Sequence, residues 1–385
     1  MPKAPLASGY VDVIYLCMLE QFGLKKLYED NTGPKVVVGL SGGVDSSVTA
    51  AILKWQGYQV IGLFMRNWTE TDESGACTTE ADFADVKAVA EHLEIPYYSI
   101  NFADKYMDEV FEKFLDGLKR GFTPNPDVLC NRQIKFGHFA KYARTMGDYI
   151  ATGHFSRIKD GKLLKGLDES KDQSYFLCGL TGDQLENVLF PVGELKKSDV
   201  RKIAQVFDLP VAKKKDSTGI CFIGERKHRE FLQNYIGNKS GKMVTPCGRV
   251  VGQHIGLMFY TIGQRKGLGL GGIKGFEDGK GWIVVRKDLD KNELVVCNGE
   301  CEQLFSNELT ASNFNWVAGK APAKEFKAAA KIRYRQADQP CMVYCSGDNL
   351  SVRVVFDTPQ RAVTPGQWVV VYDGDVCLGG GEING

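Results

Sequence analysis

Between Ser41 and Ser47 the chain reads Ser-Gly-Gly-Val-Asp-Ser-Ser, residue types suited to holding an anion. Adjacent glycines let the backbone turn sharply enough for its N–H groups to approach a ligand. Ser41, Ser46 and Ser47 add hydroxyl donors. The β-branched run Val36-Val37-Val38 precedes this turn and a helix-compatible stretch follows. The pattern is strand, tight turn, helix N-terminus, where the helix dipole adds positive potential. No GxxxxGK[ST] string is present, so this is not a Walker A loop. A second group of reactive residues comprises Cys130 in NPDVLCN and Cys221 in DSTGICFIG, thiols in stretches rich in turn formers. A thiolate in such a place can attack sulfur or carbon. Asp127, three residues before Cys130, suits hydrogen bonding or proton transfer, the plainer alternative being a turn-forming Asp.

These residues need a scaffold, and the hydrophobic pattern supplies one. Helix is expected over Asp45 to Trp55 and a second strand over Gln59 to Met65, a spacing that suits a right-handed parallel crossover. Helices over Ala81 to Leu93 and Lys105 to Lys119 flank a short strand from Tyr97 to Phe102. Gly121 to Arg132, with two prolines, reads as irregular, and helix resumes over Ile134 to Met146. A strand from Asp148 to Thr152 ends in Gly153-His154, followed by a hairpin turning at Asp160-Gly161. Helices are expected over Asp199 to Phe207 and Lys227 to Tyr235. Beyond Gly241 strands dominate: Gly248 to Gly256, Leu257 to Ile262, Gln264 to Gly272, Trp282 to Arg286 and Glu293 to Cys297. Four more, over Ala328 to Arg335, Cys341 to Cys345, Ser351 to Phe356 and Trp368 to Tyr372, suggest a terminal antiparallel barrel.

Length and composition agree with several packed domains. The 385 residues, 43% hydrophobic, suffice for two or three cores. A net charge of +1 means that any nucleic-acid contact uses local basic patches, of which Lys213–Lys215, Arg226–Arg229 and Arg265–Lys266 are the candidates. Eleven scattered cysteines, an odd number, fit free thiols in a reducing cytoplasm better than a disulfide framework. The CxxxC pairs Cys297/Cys301 and Cys341/Cys345 read as packing thiols, since no second ligand pair stands beside them, and no metal ligands are assigned. No apolar run reaches membrane-spanning length. Residues 1–33 form an extension in which Val11, Ile14, Tyr15, Met18, Leu19 and Phe22 recur at helical spacing; Asp12 makes a signal peptide a poor match.

The string VVVGLSGGVDSS resembles the PP-loop of ATP pyrophosphatases, which implies ATP split between its α and β phosphates. That loop alone leaves the acceptor open among amidating synthetases, lysidine synthetase and sulfur-inserting enzymes. Further strings narrow it. GLSGGVDSS, TPNPDVLCNRQIKFG, ATGHFSR, KDQSYFL, DSTGICFIGERKHREFL, YTIGQRKGLGLGG, RYRQ and TPGQ occur in this order. Together they resemble the bacterial tRNA-specific 2-thiouridylase family from about Lys35 to Gly381. The resemblance implies an α/β fold: an N-terminal doubly wound parallel sheet of PP-loop type (34–222), a small central domain (223–298) and a C-terminal antiparallel β-barrel (299–385). The family converts the wobble uridine of certain tRNAs, of Lys, Glu and Gln type, to 2-thiouridine.

Carried onto matching positions, the resemblance implies roles. Gly39, Leu40, Ser41, Gly42, Gly43, Val44, Asp45 and Ser46 would bind ATP phosphates, with Met65 and Gly153 bordering the nucleotide. Asn125, Pro126 and Asp127 would surround the target base. Cys221 would carry a persulfide, and Cys130 would attack it. His154, Lys171, Asp172, Gln173, Arg333, Tyr334 and Gln367 would touch tRNA. Mg²⁺ would accompany the ATP, and a cysteine desulfurase or sulfur-relay protein would supply sulfur to a monomeric enzyme.

Overall fold

The computed structural model describes residues 19–68, 78–216, 228–276 and 279–385. They fall into two compact units. The first takes the described parts of 1–106, 131–174 and 182–218; the second takes those of 107–130, 175–181 and 219–385.

A five-stranded parallel sheet organises the first unit. In chain order its strands are β1 (Lys35–Leu40), β2 (Gln59–Arg66), β3 (Tyr97–Asn101) and β4 (Tyr149–Ala151). A hairpin, β5 (Ser156–Lys159) and β6 (Lys162–Lys165), intervenes before β7 (Val188–Leu189). The spatial order is β3-β2-β1-β4-β7, with every neighbour parallel. The chain winds outward from β1 to β3, then returns to β1's other side, so the strand order reverses between β1 and β4. That crevice is where doubly wound sheets bind ligands.

Both faces of β1 are covered, which is why Val36, Val37 and Val38 are all apolar. Val36, Val38 and Leu40 pack with Val48 and Ile52 of helix α1 (Val44–Trp55), Val86 and Val89 of α2 (Thr78–His92), and Val200 and Ile203 of α3 (Lys197–Val206). Val37 faces the opposite layer, with Leu63, Phe139, Ala140, Ala143 and Ile150. Leu19, the first described residue, is fully buried in the α1 layer.

In the second unit, β8 (Gly241–Val244), β9 (Val250–His254), β10 (Trp282–Asp288) and β11 (Glu293–Asn298) form a sheet ordered β10-β11-β8-β9. Met243, Leu257, Trp282, Val284, Leu294 and Val296 fill its core. Six antiparallel strands follow: β12 (Phe305–Trp316), β13 (Glu325–Lys331), β14 (Gln339–Cys345), β15 (Val352–Arg361), β16 (Trp368–Asp373) and β17 (Val376–Ile383). They run in the order β12-β15-β14-β13-β16-β17, and the β12–β17 pairing closes the barrel and removes its edges.

Several expected strands are corrected. Leu257–Phe259 is a 3₁₀ turn, and 264–272 contains no strand. Positive φ at Gly263, Gly267, Gly269 and Gly272 breaks extended pairing there. Strand β13 stops at Lys331, leaving Arg333–Arg335 in a turn. The long β12 and the glycine-rich β17 escaped the sequence reading because neither alternates cleanly.

Residues 175–181 are sewn to the barrel. The buried Tyr175 hydroxyl donates to the Trp368 carbonyl at 2.8 Å, and Asn315 Nδ2 donates to the carbonyls of Cys178 and Leu180 at 2.9 and 2.7 Å. A Tyr175→Phe substitution is therefore expected to lower stability by about 1–2 kcal/mol, read as a shift of the denaturant midpoint without a change in slope.

Candidate active site

The glycine turn follows the carboxyl end of β1 and leads into α1. Gly43 is the N-cap of α1, and no side chain caps that end. Its first-turn N–H groups are thus available to an incoming anion. The serines shape the turn. Ser46 Oγ accepts from Ser41 N at 3.2 Å and donates to the Gly43 carbonyl at 3.1 Å; Ser47 Oγ donates to the same carbonyl at 2.8 Å. The Ser46 and Ser47 hydroxyls, expected as anion donors, brace the loop in this conformation. Gly42 has φ +75°, and a Cβ there would meet the Asp82 carbonyl oxygen at 2.5 Å, so only glycine fits. From the end of β4, Gly153 comes so close that a Cβ would lie 2.7 Å from Ser46 N.

Charged groups surround the turn. The buried Lys197 ammonium bridges Asp45, in the first turn of α1, and Asp216, the latter at 2.9 Å. Asp216 also receives Lys171 at 3.0 Å, and the Arg201 guanidinium. The two carboxylates respond oppositely. Burial pushes Asp45 up, only partly offset by Lys197, while the neighbouring Asp216 charge adds to the rise. Burial also opposes ionisation of Asp216, but hydrogen bonds and charge from Lys197 and Lys171 prevail and hold it at about 2. Lys214 pairs with Asp82 at 2.8 Å and Asp85 at 2.6 Å, and donates to the Gly42 carbonyl at 3.1 Å. Burial disfavours its charge, yet the two aspartates raise it. Lys214, expected as a phosphate contact within the Lys213–Lys215 run, is thus a brace for the glycine turn.

The second unit holds the other reactive segment. Asn125 is an N-cap whose Oδ1 accepts from Asp127 N at 3.2 Å, and Pro126 occupies the first helical position. The turn Pro126–Leu129 leads into a π-helix over Cys130–Phe139. Cys130 is therefore helical and only 1% exposed, a correction to the irregular stretch expected there. The Asn-Pro pair is itself a helix-start signal, read instead as a break. π-Helical segments are rare, and the single-turn form is frequent at functional sites.

With this geometry in hand, comparison with known proteins is informative. Residues 34–225 match the family model described as tRNA methyl transferase HUP domain, 229–298 the tRNA methyl transferase PRC-barrel domain, and 306–383 the Aminomethyltransferase beta-barrel domain. The tRNA-specific 2-thiouridylase MnmA of Lacticaseibacillus paracasei is 53% identical over 92% of this chain and 95% of its own. That of Francisella philomiragia is 53% identical over 91% of this chain and 99% of its own. This chain belongs to the tRNA-specific 2-thiouridylase (MnmA) family. A solved U34-tRNA thiolase from Methanococcus maripaludis aligns at 18% identity and TM-score 0.34, over 54% of this chain and 68% of that one, and adds nothing to the assignment.

For this MnmA-family member, the structure brings Gly39–Ser46 and Gly153 together in the first unit. Met65 stands at the end of β2, packed toward Val37 and Ile100. Cys221 lies outside the described residues, as do 226 and 227 of the basic run Arg226–Arg229. The residues expected to touch tRNA have internal partners. His154 is buried between Phe136 and Phe190, with Nδ1 2.6 Å from Thr152 Oγ1. Asp172, also buried, accepts from Gly166 N, Ser174 N and Ser174 Oγ, each at 3.0 Å. Gln173 Oε1 accepts from Phe155 N at 2.9 Å. Arg333 donates to the carbonyls of Ile262 and Ala362, and Tyr334 lies 4.4 Å from the Phe176 ring. Gln367 donates to the Thr123 carbonyl at 2.6 Å. Sequence reasoning assigned no role to Lys197, an isolated Lys with no local signature, nor to Asp216, which opens the DSTGICFIG string but was not singled out in it.

A Gly153→Ala substitution is expected to push Ser46 out of place, costing about 1–3 kcal/mol of stability and weakening ATP binding; calorimetry of the variant checks both. Burial, followed by the Lys135 charge, holds His154 well below the usual histidine range. The folded state then resists a proton that the unfolded state accepts near pH 6.5. Stability should be full above that pH and fall below it, a slope that His154→Asn removes. Denaturant midpoints across pH 5–8 test it.

Proposed function

We propose that this chain is an ATP-dependent tRNA sulfurtransferase that makes 2-thiouridine. The reading rests on one observation above all: 53% identity, over nearly the full length of both chains, to proteins named tRNA-specific 2-thiouridylases. The glycine turn at the sheet's reversal point is suited to the phosphates of ATP, with the uncapped α1 N-terminus and Gly153 shaping the cradle. Oxygen O2 of the wobble uridine attacks the α-phosphorus, and pyrophosphate leaves. Sulfur can then attack the activated C2, breaking the C2–O bond and expelling AMP.

Mg²⁺ fits this site as a companion of ATP. Among the described residues no group of three or more His, Cys, Asp or Glu side chains could hold a metal ion alone. Asp45, the carboxylate in the turn and now paired with Lys197, is the residue that would help hold the ion, which would supply neutralisation of phosphate charge. Asn125, Pro126 and Asp127 flank the extruded base, whose C2 is out of reach while stacked. Cys221 carries the persulfide. Cys130 attacks the Cys221 sulfur, freeing the terminal sulfur for C2 and leaving a Cys130–Cys221 disulfide that a reductant reopens. The sulfur reaches Cys221 from a cysteine desulfurase or a relay protein. Cytoplasmic localisation accords with this thiol chemistry, and among the described residues no helix is long and apolar enough to cross a membrane.

The test incubates the protein with ATP, Mg²⁺, a persulfide source and unmodified tRNA, followed by nucleoside mass analysis. 2-Thiouridine should form. Cys130→Ser and Cys221→Ser should each abolish it while retaining ATP binding. A methylated nucleoside, or full activity in both variants, would overturn the sulfur mechanism.

A further inference from the structure

The segment Gly121–Thr123, just upstream of Asn125 and Cys130, has a partner for each of its backbone polar groups. The helix just before it, Glu112–Lys119, supplies two: Gly121 N donates to the Leu118 carbonyl at 2.9 Å, and Phe122 N to that of Gly117 at 3.0 Å. The rest come from far along the chain. Lys287 Nζ, from β10, donates to the Gly121 carbonyl at 2.8 Å and reaches that of Phe122 at 3.5 Å. From the turn between β15 and β16, the Pro365 carbonyl accepts from Thr123 N at 2.9 Å. Gln367 Nε2 donates to the Thr123 carbonyl at 2.6 Å. Side-chain contacts tighten the same place. A Cβ on Gly366 would come within 2.8 Å of Phe122 Cβ, and one on Gly121 within 2.7 Å of Leu289. Pro124, which has no N–H to satisfy, presses its ring on Gly117.

Lys287 is costly where it stands. Burial alone holds its ammonium down to about 8, and its hydrogen bonds go to main-chain carbonyls. A lysine desolvated for the sake of one strap of backbone needs a reason. That strap ends in the Asn125 cap, and the cap starts the helical turn that carries Asp127 and Cys130. We propose that Lys287 and Gln367 are positioning residues, which clamp Gly121–Thr123 to the central sheet and to the barrel and thereby fix where Asp127 and Cys130 stand. This rests on the sulfurtransferase reading above. It assigns Gln367 an indirect role in place of the direct tRNA contact implied by family resemblance, and gives Lys287 a role that no motif suggests.

The experiment follows single-turnover 2-thiouridine formation by persulfide-loaded full-length protein at saturating tRNA. Equilibrium tRNA binding and amide hydrogen exchange over 125–131 are measured alongside. Lys287→Met and Gln367→Leu should slow the turnover by about tenfold to a hundredfold, leave tRNA affinity unchanged, and speed exchange in 125–131. Lys287→Arg, which keeps a charged donor, should recover most of the rate. If Gln367→Leu instead weakens tRNA binding and retains the rate at saturation, the residue contacts tRNA directly and the clamp is wrong. Unaltered rates and exchange in both variants also overturn it. Should Lys287→Met fail to fold, Gln367→Leu and Lys287→Arg decide the matter. An inactive parent protein counts against the sulfurtransferase reading, whereas variants equal to an active parent count only against the clamp; hydrogen exchange tests the clamp in either case.

Discussion

Everything in the first unit follows from how closely two backbones approach at the reversal of strand order. A Cβ on Gly153 would sit 2.7 Å from Ser46 N and 3.1 Å from Asp45 Cβ. That approach lets the end of β4 lie against the first turn of α1, and it leaves the uncapped N-terminus of α1 facing the crevice. Parallel strands buried on both faces make the arrangement rigid, because Val36 and Val38 anchor one helical layer and Val37 the other. The setting of the glycine turn is thus a by-product of the sheet's topology. It needs no specialised loop beyond a left-handed Gly42 and hydroxyls turned inward to hold the turn's shape.

Electrostatics adds a second layer of organisation. Lys197 serves two carboxylates, and they are not equals. Asp216 gathers Lys171 and Arg201 as well, so it stays ionised far into acid, while Asp45 shares one ammonium and the effect of burial prevails. The weaker-held carboxylate is the one in the glycine turn. Lys214 shows the opposite choice: its charge is committed to Asp82, Asp85 and a turn carbonyl.

Much of this was legible along the chain. The valine run, the glycines and the helix after them announced a buried parallel strand leading through a tight turn into a helix, because strand burial and turn chemistry are local properties. The hairpin at Asp160-Gly161 was legible for the same reason, both residues taking positive φ. Other places misled. Asn125-Pro126 looked like a break and is a helix start. The glycine-rich stretch after Gln264 looked like strand and is turns. Lys214 looked like a free basic patch. The partners of Lys214 lie far along the chain, whereas the Asn-Pro cap and the positive-φ glycines are local signals that were misread.

The sequence by itself determined residue chemistry and local geometry: which stretch turns on glycine, which strings carry the cysteines, and which long strings place the chain in the 2-thiouridylase family. These depend on residues adjacent in the chain. Only the tertiary structure decided that Lys197 joins Asp45 to Asp216, that His154 and Asp172 face inward, and that Lys287 and Gln367 hold the backbone before Cys130. Each of those depends on side chains from distant elements meeting in a desolvated place. There a charge or an amide is tolerated only with a partner, and the partner's sequence position is set by topology rather than by spacing.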